Sequence, residues 1–415
     1  MSEQEKLLPK LRFPEFRKAD AWEERSGNYL FDQVNDKNPP PGLPVLAITQ
    51  EHGAIPRDMI DYHVSVTDKS IESYKVVQVG DFIISLRSFQ GGIEYSQYHG
   101  ICSPAYVVLR RRAEGSEAYY KHYLKTDRFI QILTKNLEGL RDGKMISYKQ
   151  FSELQIPTPA PAEQQKIAVC LCSLDELIAA QARKVEALKT HKKGLMQQLF
   201  PREGETQPRL RFPEFMNAPD WEVKKLEDLA KRGSGHTPSK LDPEHYNGGI
   251  KWISLADSKR LDVGLISKTE YEISAKGIKN SSAVLHPTGT VLISRDAGVG
   301  KSAVMALPMA VSQHFIVWTC HAHLLSNWFL YYQLQEMKPI FERIATGSTI
   351  KTIGLPFFKE LHIAVPTLPE QQRIADCLSA LDTLITAATQ ALDTLKTHKQ
   401  GLMQQLFPSA EAVAA

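Results

Sequence analysis

The chain repeats itself, and that repeat limits what it can fold into more than any single motif does. Leu11-Arg12-Phe13-Pro14-Glu15-Phe16 returns as Leu210-Arg211-Phe212-Pro213-Glu214-Phe215, and Trp22-Glu23 returns as Trp221-Glu222, both 199 residues on. Glu163-Gln164-Gln165 returns as Glu370-Gln371-Gln372, and Leu188-Lys189-Thr190-His191-Lys192 as Leu395-Lys396-Thr397-His398-Lys399, now 207 residues on. The run GLMQQLFP at 194–201 returns intact at 401–408. So many matches in one order define a tandem duplication. Each copy has a near-identical entry segment, a divergent middle and a near-identical exit segment.

The middles keep a common skeleton. Gly80-Asp81-Phe82-Ile83-Ile84-Ser85 parallels Gly289-Thr290-Val291-Leu292-Ile293-Ser294, and Ser103-Pro104-Ala105-Tyr106-Val107-Val108 parallels Ser312-Gln313-His314-Phe315-Ile316-Val317. Residues 146–156 parallel 353–363. Apolar positions match while polar ones differ, so one backbone plan carries two surfaces. An enzyme with two equal active sites would repeat its polar residues, whereas a reader of two different targets would not.

The exit segments are helical. In the first, Ile167, Leu171, Leu174, Ile178, Gln181, Val185, Leu188, Lys192, Leu195 and Leu199 alternate steps of four and three. In the second, Ile374, Leu378, Leu381, Ile385, Ala388, Leu392, Leu395, Lys399, Leu402 and Leu406 do the same. That is an a/d seam five heptads long, which calls for a partner helix. The partner is in the same chain, and duplication favours an antiparallel pair whose second helix ends beside the N-terminal entry segment. Pro369 suits a first helical turn, Pro161 is placed just before one, and Phe200-Pro201 and Phe407-Pro408 are stops.

The middles read as mixed α and β. Strands are expected at Val76-Val77, 82–84, 106–109, 291–293 and 315–318, with helices over 119–133 and 326–337. The predicted fold class is α+β: two pseudo-symmetric mixed α/β domains separated by two long antiparallel coiled-coil helices. The expected boundaries are an entry segment 1–22, a first domain 23–158, helix 159–201, a second entry 202–224, a second domain 225–365, helix 366–408 and a tail 409–415.

Composition narrows the class. Five cysteines in 415 residues do not make a disulfide framework. No apolar run approaches a membrane span, and the polar start MSEQEKLLPKLRF has no apolar signal core, so no membrane role and a cytoplasmic location are expected. The net charge of +3 neither demands nor excludes nucleic acid. Residues 23–155 hold 16 basic and 17 acidic groups, whereas 230–362 hold 15 and 10.

Three near-motifs do not carry chemistry. Asn38-Pro39-Pro40-Pro41 is similar to the Asn-Pro-Pro-aromatic tetrad of amino-methyltransferases, but Pro41 cannot stack on a flipped base. Gly300-Lys301-Ser302 ends like a phosphate loop, but Arg295 stands where the first glycine is required. Cys320-His321-Ala322-His323 has no second cluster to complete a metal site. With no nucleophile motif and no carboxylate cluster, a binding subunit is favoured over an enzyme. No catalytic residue, metal or cofactor is expected in this chain.

The whole pattern resembles the specificity subunits of type I restriction-modification systems. The resemblance rests on two variable domains alternating with two repeated helices. It rests also on Gly235-His236-Thr237-Pro238-Ser239, on Tyr246-Asn247-Gly248-Gly249-Ile250-Lys251-Trp252-Ile253, on residues 293–301, and on the helix entries 159–165 and 366–372. The first half departs from the glycine-rich loop, with Ser85-Leu86-Arg87-Ser88-Phe89-Gln90-Gly91-Gly92 in its place. The resemblance implies that each domain reads half of a bipartite double-stranded DNA site through the major groove. It implies that the helices fix the spacing between the halves and that two methylation subunits and restriction subunits dock on the chain. S-adenosylmethionine, ATP and Mg would bind those partners. The candidate readers are Arg87, Ser88, Gln90, Arg141 and Lys144 in the first domain. In the second they are Arg295, Lys301, Ser302, Gln313, Ser348, Thr349 and Lys351. Arginine, glutamine and asparagine offer the paired hydrogen-bonding arms that base edges need. The alternative is a scaffold with two protein-binding modules and no DNA; steeply salt-dependent DNA retention separates the two.

Overall fold

The structure is a computed structural model that describes residues 7–60, 73–135 and 146–408. Two helices of 39 residues each, Pro161–Leu199 and Leu368–Leu406, account for the exit segments. At about 1.5 Å per residue each is roughly 58 Å long. Pro161 opens the first helix rather than preceding it, and Pro369 is the second residue of the other, positions where a missing N–H costs no hydrogen bond. All twenty seam residues are buried or half-buried, while Glu176, Arg183, Lys189, Thr383, Asp393 and Lys396 between them are exposed.

The chain divides into two compact units, and the division cuts across both long helices. One unit is Met1–Ala182 with Ala391–Ala415; the other is Arg183–Gln390. Each unit therefore holds its own middle, the start of its own long helix and the end of the other one. The linear division read from the sequence gives way here, because a seam needs its partner helix to become a core.

In the first unit the ladder Glu23–Ser26 with Gln155–Thr158 closes the middle, pairing Glu23 with Thr158. The main sheet has the order Phe31–Val34, Val107–Arg111, Phe82–Ile84, Glu94–Tyr95, antiparallel throughout. The expected helix over 119–133 is two helices, Glu117–Tyr123 and Asp127–Lys135. Thr126 makes the break: its hydroxyl donates to Tyr123 O and accepts from Phe129 N–H. The core gathers Trp22, Phe31, Tyr119, Phe151, Ile167 and Leu171 around Leu406 and Phe407. The Phe407 ring lies 5.5 Å from Tyr119 and 5.6 Å from Tyr123.

The second unit repeats this plan. Its ladder joins Glu222–Lys225 to His362–Val365, so the domain begins at Glu222, three residues before the boundary expected at 225. Its main sheet has the order Ala230–Ser234, Phe315–Cys320, Val291–Ser294, Ser302–Met305, Leu265–Ile266, and only the last pair is parallel. A further sheet places Tyr246–Ile253 between Tyr271–Ile273 and Ala310–Val311. Phe200 takes the place of Phe407, packing on Trp221 and Phe329.

The repeated motifs are the parts that close each unit. Arg12 holds the buried Glu163 carboxylate with two bonds, from Nε at 2.8 Å and Nη2 at 2.7 Å, while Nη1 donates to Ala19 O and Nη2 also to Asp20 O. Arg211 does the same to Glu370, Ala218 O and Pro219 O. Gln164 accepts from Ser116 N–H and donates to Pro159 O; Gln371 does likewise with Ser326 and Pro366. Leu11 N–H donates to Gln405 O at the end of the second long helix, and Leu210 N–H to Gln198 O at the end of the first. The entry segment thus docks on the end of the helix from the other repeat, the closure expected from the duplication.

Two seam positions are lysines rather than leucines. Lys399 pairs with Asp175 at 2.5 Å, and Lys192 with Asp382 at 2.6 Å. Each pair joins the two long helices within one unit, running antiparallel. A polar residue at an a position lowers stability but sets register, since a slipped seam would bury it unpaired. His122 lies 3.8 Å from Asp175, and burial, with the Lys399 charge, pushes its imidazole down to about 3. In the second unit the corresponding contact comes from the Tyr332 hydroxyl, which donates to Asp382 at 2.8 Å.

Candidate nucleic-acid interface

In the second unit the candidate readers converge on the loops at one end of the main sheet. Strand Val291–Ser294 leads into the loop 295–301, which returns as strand Ser302–Met305. The loop is tied by Ser294 N–H to Lys301 O at 2.7 Å and Gly300 N–H to Ser294 O at 3.0 Å. Ala297, Gly298 and Gly300 all have positive φ, a tight reversal that glycine permits and that explains the Gly-Val-Gly spelling without any phosphate loop. Arg295 N–H donates to His314 O, and Ile353 N–H to Arg295 O. Asp296 and Thr352 form a bridge. Three segments distant in sequence, 295–301, 312–314 and 346–353, are therefore stitched into one surface.

That surface carries Gln313, Ser348, Thr349 and Lys351 exposed, with Arg295 and Lys301 half-buried. A cleft of about 460 Å³ separates loop 295–301 from 349–351, and Lys301, Lys338 and Lys351 stand on its wall. Lys301 is braced: its ammonium donates to Ser258 O at 3.0 Å and Ser258 Oγ at 3.1 Å. Lys338 pairs with Asp262 at 2.8 Å. Lys351 extends into solvent as the cleft's exposed lysine.

In the first unit Arg87 and Gln90 are exposed at the short helix Ser88–Gly91, in the place of loop 295–301. Arg141 and Lys144 lie outside the described residues. Tyr106, half-buried, marks the neighbouring corner. Burial raises its phenol, and the Arg57 and Arg87 charges oppose that rise. Lys75 donates to Tyr106 O at 2.6 Å, and burial lowers its ammonium. The Arg57 and Arg87 charges thus both act on Tyr106, beside the Lys75 ammonium that bonds its carbonyl.

Two expected readers are corrected. Ser88 is wholly buried, and its hydroxyl accepts from Ser85 N–H at 2.9 Å to shape the turn. Ser302 is wholly buried on a central strand, where its hydroxyl accepts from Gln335 at 2.7 Å. Both serines bond within the protein and face no groove. Sequence reasoning missed Arg57, Lys75, Thr237, His314 and Lys338. Their loops come from separate segments, so no spacing signalled them, although Thr237 lies in the Gly235–Ser239 run and His314 in the repeat-matched run 312–317. It also missed a larger cleft in the first unit, about 960 Å³, with Lys121, Lys125 and Lys396 among its lining residues.

Among the described residues no group of three or more His, Cys, Asp or Glu is placed to hold a metal ion. His321 and His323 follow the strand Phe315–Cys320 rather than belonging to it. No described helix is long and apolar enough to cross a membrane.

Two variable domains on one frame, each closed by helix segments of both repeats, define a class. The family model for the type I restriction modification DNA specificity domain matches residues 20–190 and 219–397, and the chain belongs to that family. It is 24% identical over 384 residues to a putative type I restriction enzyme MjaX specificity subunit of Methanocaldococcus jannaschii, covering 88% of this chain and 86% of that one. To the MjaIX specificity subunit of the same organism it is 32% identical over 167 residues, 40% of this chain and 39% of that protein's length. The fold is similar to that of a type I restriction-modification S subunit from M. genitalium, with a TM-score of 0.58 and 16% identity over 97% of this chain and 100% of the other.

Proposed function

We propose that this chain is the DNA-specificity subunit of a type I restriction-modification complex, reading a bipartite double-stranded site with one unit per half-site. The observation that carries this reading is the contrast between the two units. Their central closing contacts repeat, Arg12 on Glu163 with Gln164 beside it in one and Arg211 on Glu370 with Gln371 in the other, while the loop tips differ: Arg87 and Gln90 in one, Arg295, Gln313 and Lys351 in the other. A shared frame with different polar tips suits the reading of two different half-sites.

The long helices serve as the spacer between half-sites and, with the repeated entry segments, as docking ground for two methylation subunits and the restriction subunits. The chain contributes selection and no bond-making step. S-adenosylmethionine, ATP and Mg act on the partner subunits, and the complex works in the cytoplasm. The test is a map of methylated adenines in a genome with and without this gene. A split motif that disappears with the gene is expected; an unchanged methylation map would overturn the reading.

A further inference from the structure

The reading above leaves open which bases the second unit selects, and a chain of four side chains at its loop tips bears on that. Asp296 Oδ2 lies 2.8 Å from His314 Nδ1. His314 Nε2 lies 3.4 Å from Gln313 Nε2. Gln313 Oε1 lies 2.6 Å from Thr237 Oγ1. The donors and acceptors along this chain follow from chemistry. A carboxylate accepts, so His314 holds a proton on Nδ1, and in the neutral imidazole Nε2 is left bare. A bare ring nitrogen accepts, so the Gln313 amide turns its NH2 toward it and its oxygen toward the Thr237 hydroxyl. Flipping the amide would set two acceptors face to face.

The backbone holds all four members. Arg295 N–H donates to His314 O at 2.9 Å, which fixes Asp296 against His314. His236 N–H donates to Val311 O at 3.1 Å, bringing Thr237 beside Gln313. That approach needs Gly235, since a Cβ there would sit 1.7 Å from Val311 O.

Gln313 itself is exposed. With one N–H given to His314 and one carbonyl lone pair taken by Thr237, its amide keeps one N–H and one lone pair for a ligand. In the major groove adenine offers the complementary pair, an N7 acceptor and an N6–H donor, whereas guanine offers two acceptors. We propose that Gln313, fixed by Thr237, His314 and Asp296, selects an adenine in the half-site read by the second unit. In the first unit Pro104 and Ala105 stand at the places of Gln313 and His314, and Arg87 at that of Asp296, so that half-site is read by other means.

This inference rests on the DNA-reading proposal, and one experiment separates their failures. Duplexes are selected from a random-sequence pool by the full chain at low salt, comparing wild type with Gln313→Ala, Gln313→Glu and Thr237→Val. The wild type is expected to select a split motif with an adenine fixed at one position of one half-site. Gln313→Ala should reduce that preference roughly five- to hundredfold and leave every other position intact. Thr237→Val should act in the same direction by a smaller factor, because the amide loses its orientation but not its groups. Gln313→Glu, an acceptor only, should shift the position toward cytosine. A wild type that selects no sequence refutes the DNA reading itself. A selected motif that Gln313→Ala leaves unchanged, or changes in both half-sites, refutes the adenine assignment alone.

Discussion

Removing Arg12 tests the closing clamp of the first unit. Glu163 is 1% exposed and has two charge-assisted bonds from Arg12. Arg12→Ala leaves that carboxylate buried without its cation, a change that costs about 3–5 kcal/mol. The twin substitution Arg211→Ala should cost less. Glu370 also accepts from Trp221 Nε1 at 3.3 Å, while Trp22 Nε1 has no hydrogen-bond partner among the described residues. One retained hydrogen bond to a charged group makes a difference of about 1.5–3 kcal/mol between the two variants. Arg12→Ala with Glu163→Met should recover much of the loss, since an apolar side chain carries no stranded charge. Hydrogen exchange read by mass spectrometry localises the effect: protection should fall at 161–171 in Arg12→Ala and hold at 368–378. Uniform loss across both helix starts, a double variant worse than Arg12→Ala, or a larger cost at Arg211 would refute the reasoning.

Four further outcomes are expected. His122 is held near 3 in the folded chain against 6.5 for an ordinary imidazole, so unfolding takes up a proton as pH falls below about 6.5. The first unit should lose stability from there toward pH 3, by up to roughly 5 kcal/mol in total, and His122→Gln should flatten that part of a denaturation series. A fragment of residues 1–206 should dimerise, because 194–201 of a second copy is identical to the 401–408 segment it lacks; a monomer by sedimentation at micromolar concentration would count against this. Lys351→Ala should weaken DNA binding and lower the salt slope by about one unit if the lysine meets a phosphate, which binding isotherms at several salt concentrations will show. A heptad inserted in both long helices adds roughly 10 Å and should widen the methylated motif's spacer by about one to three base pairs, with both half-sites retained.

The duplication, the α+β class and the two seams were legible from residue order alone, because an a/d pattern is a statement about one helix face and needs no tertiary knowledge. The ladders at the edges of each middle were not legible in the same way: Glu23–Ser26 has no apolar residue and Glu222–Lys225 has one, so only their pairing with Gln155–Thr158 and His362–Val365 makes them strands. Residue order also showed that the middles differ in their polar groups, which is what singled out Arg87, Arg295, Gln313 and Lys351. It could not distinguish a polar residue that faces solvent from one that caps a turn, and so Ser88 and Ser302 were grouped with the readers. A serine spells both roles alike; only the donor it meets decides between them. The fold also decided where each unit ends. The seam of one helix becomes a core only against the other, so Leu406 and Phe407 belong to the first unit although about 200 residues separate them from the rest of it. The chain Thr237–Gln313–His314–Asp296 is likewise a product of folding: its members come from three segments spread over 78 positions, and hydrogen bonds of a few ångströms form only where sheet strands bring such segments side by side.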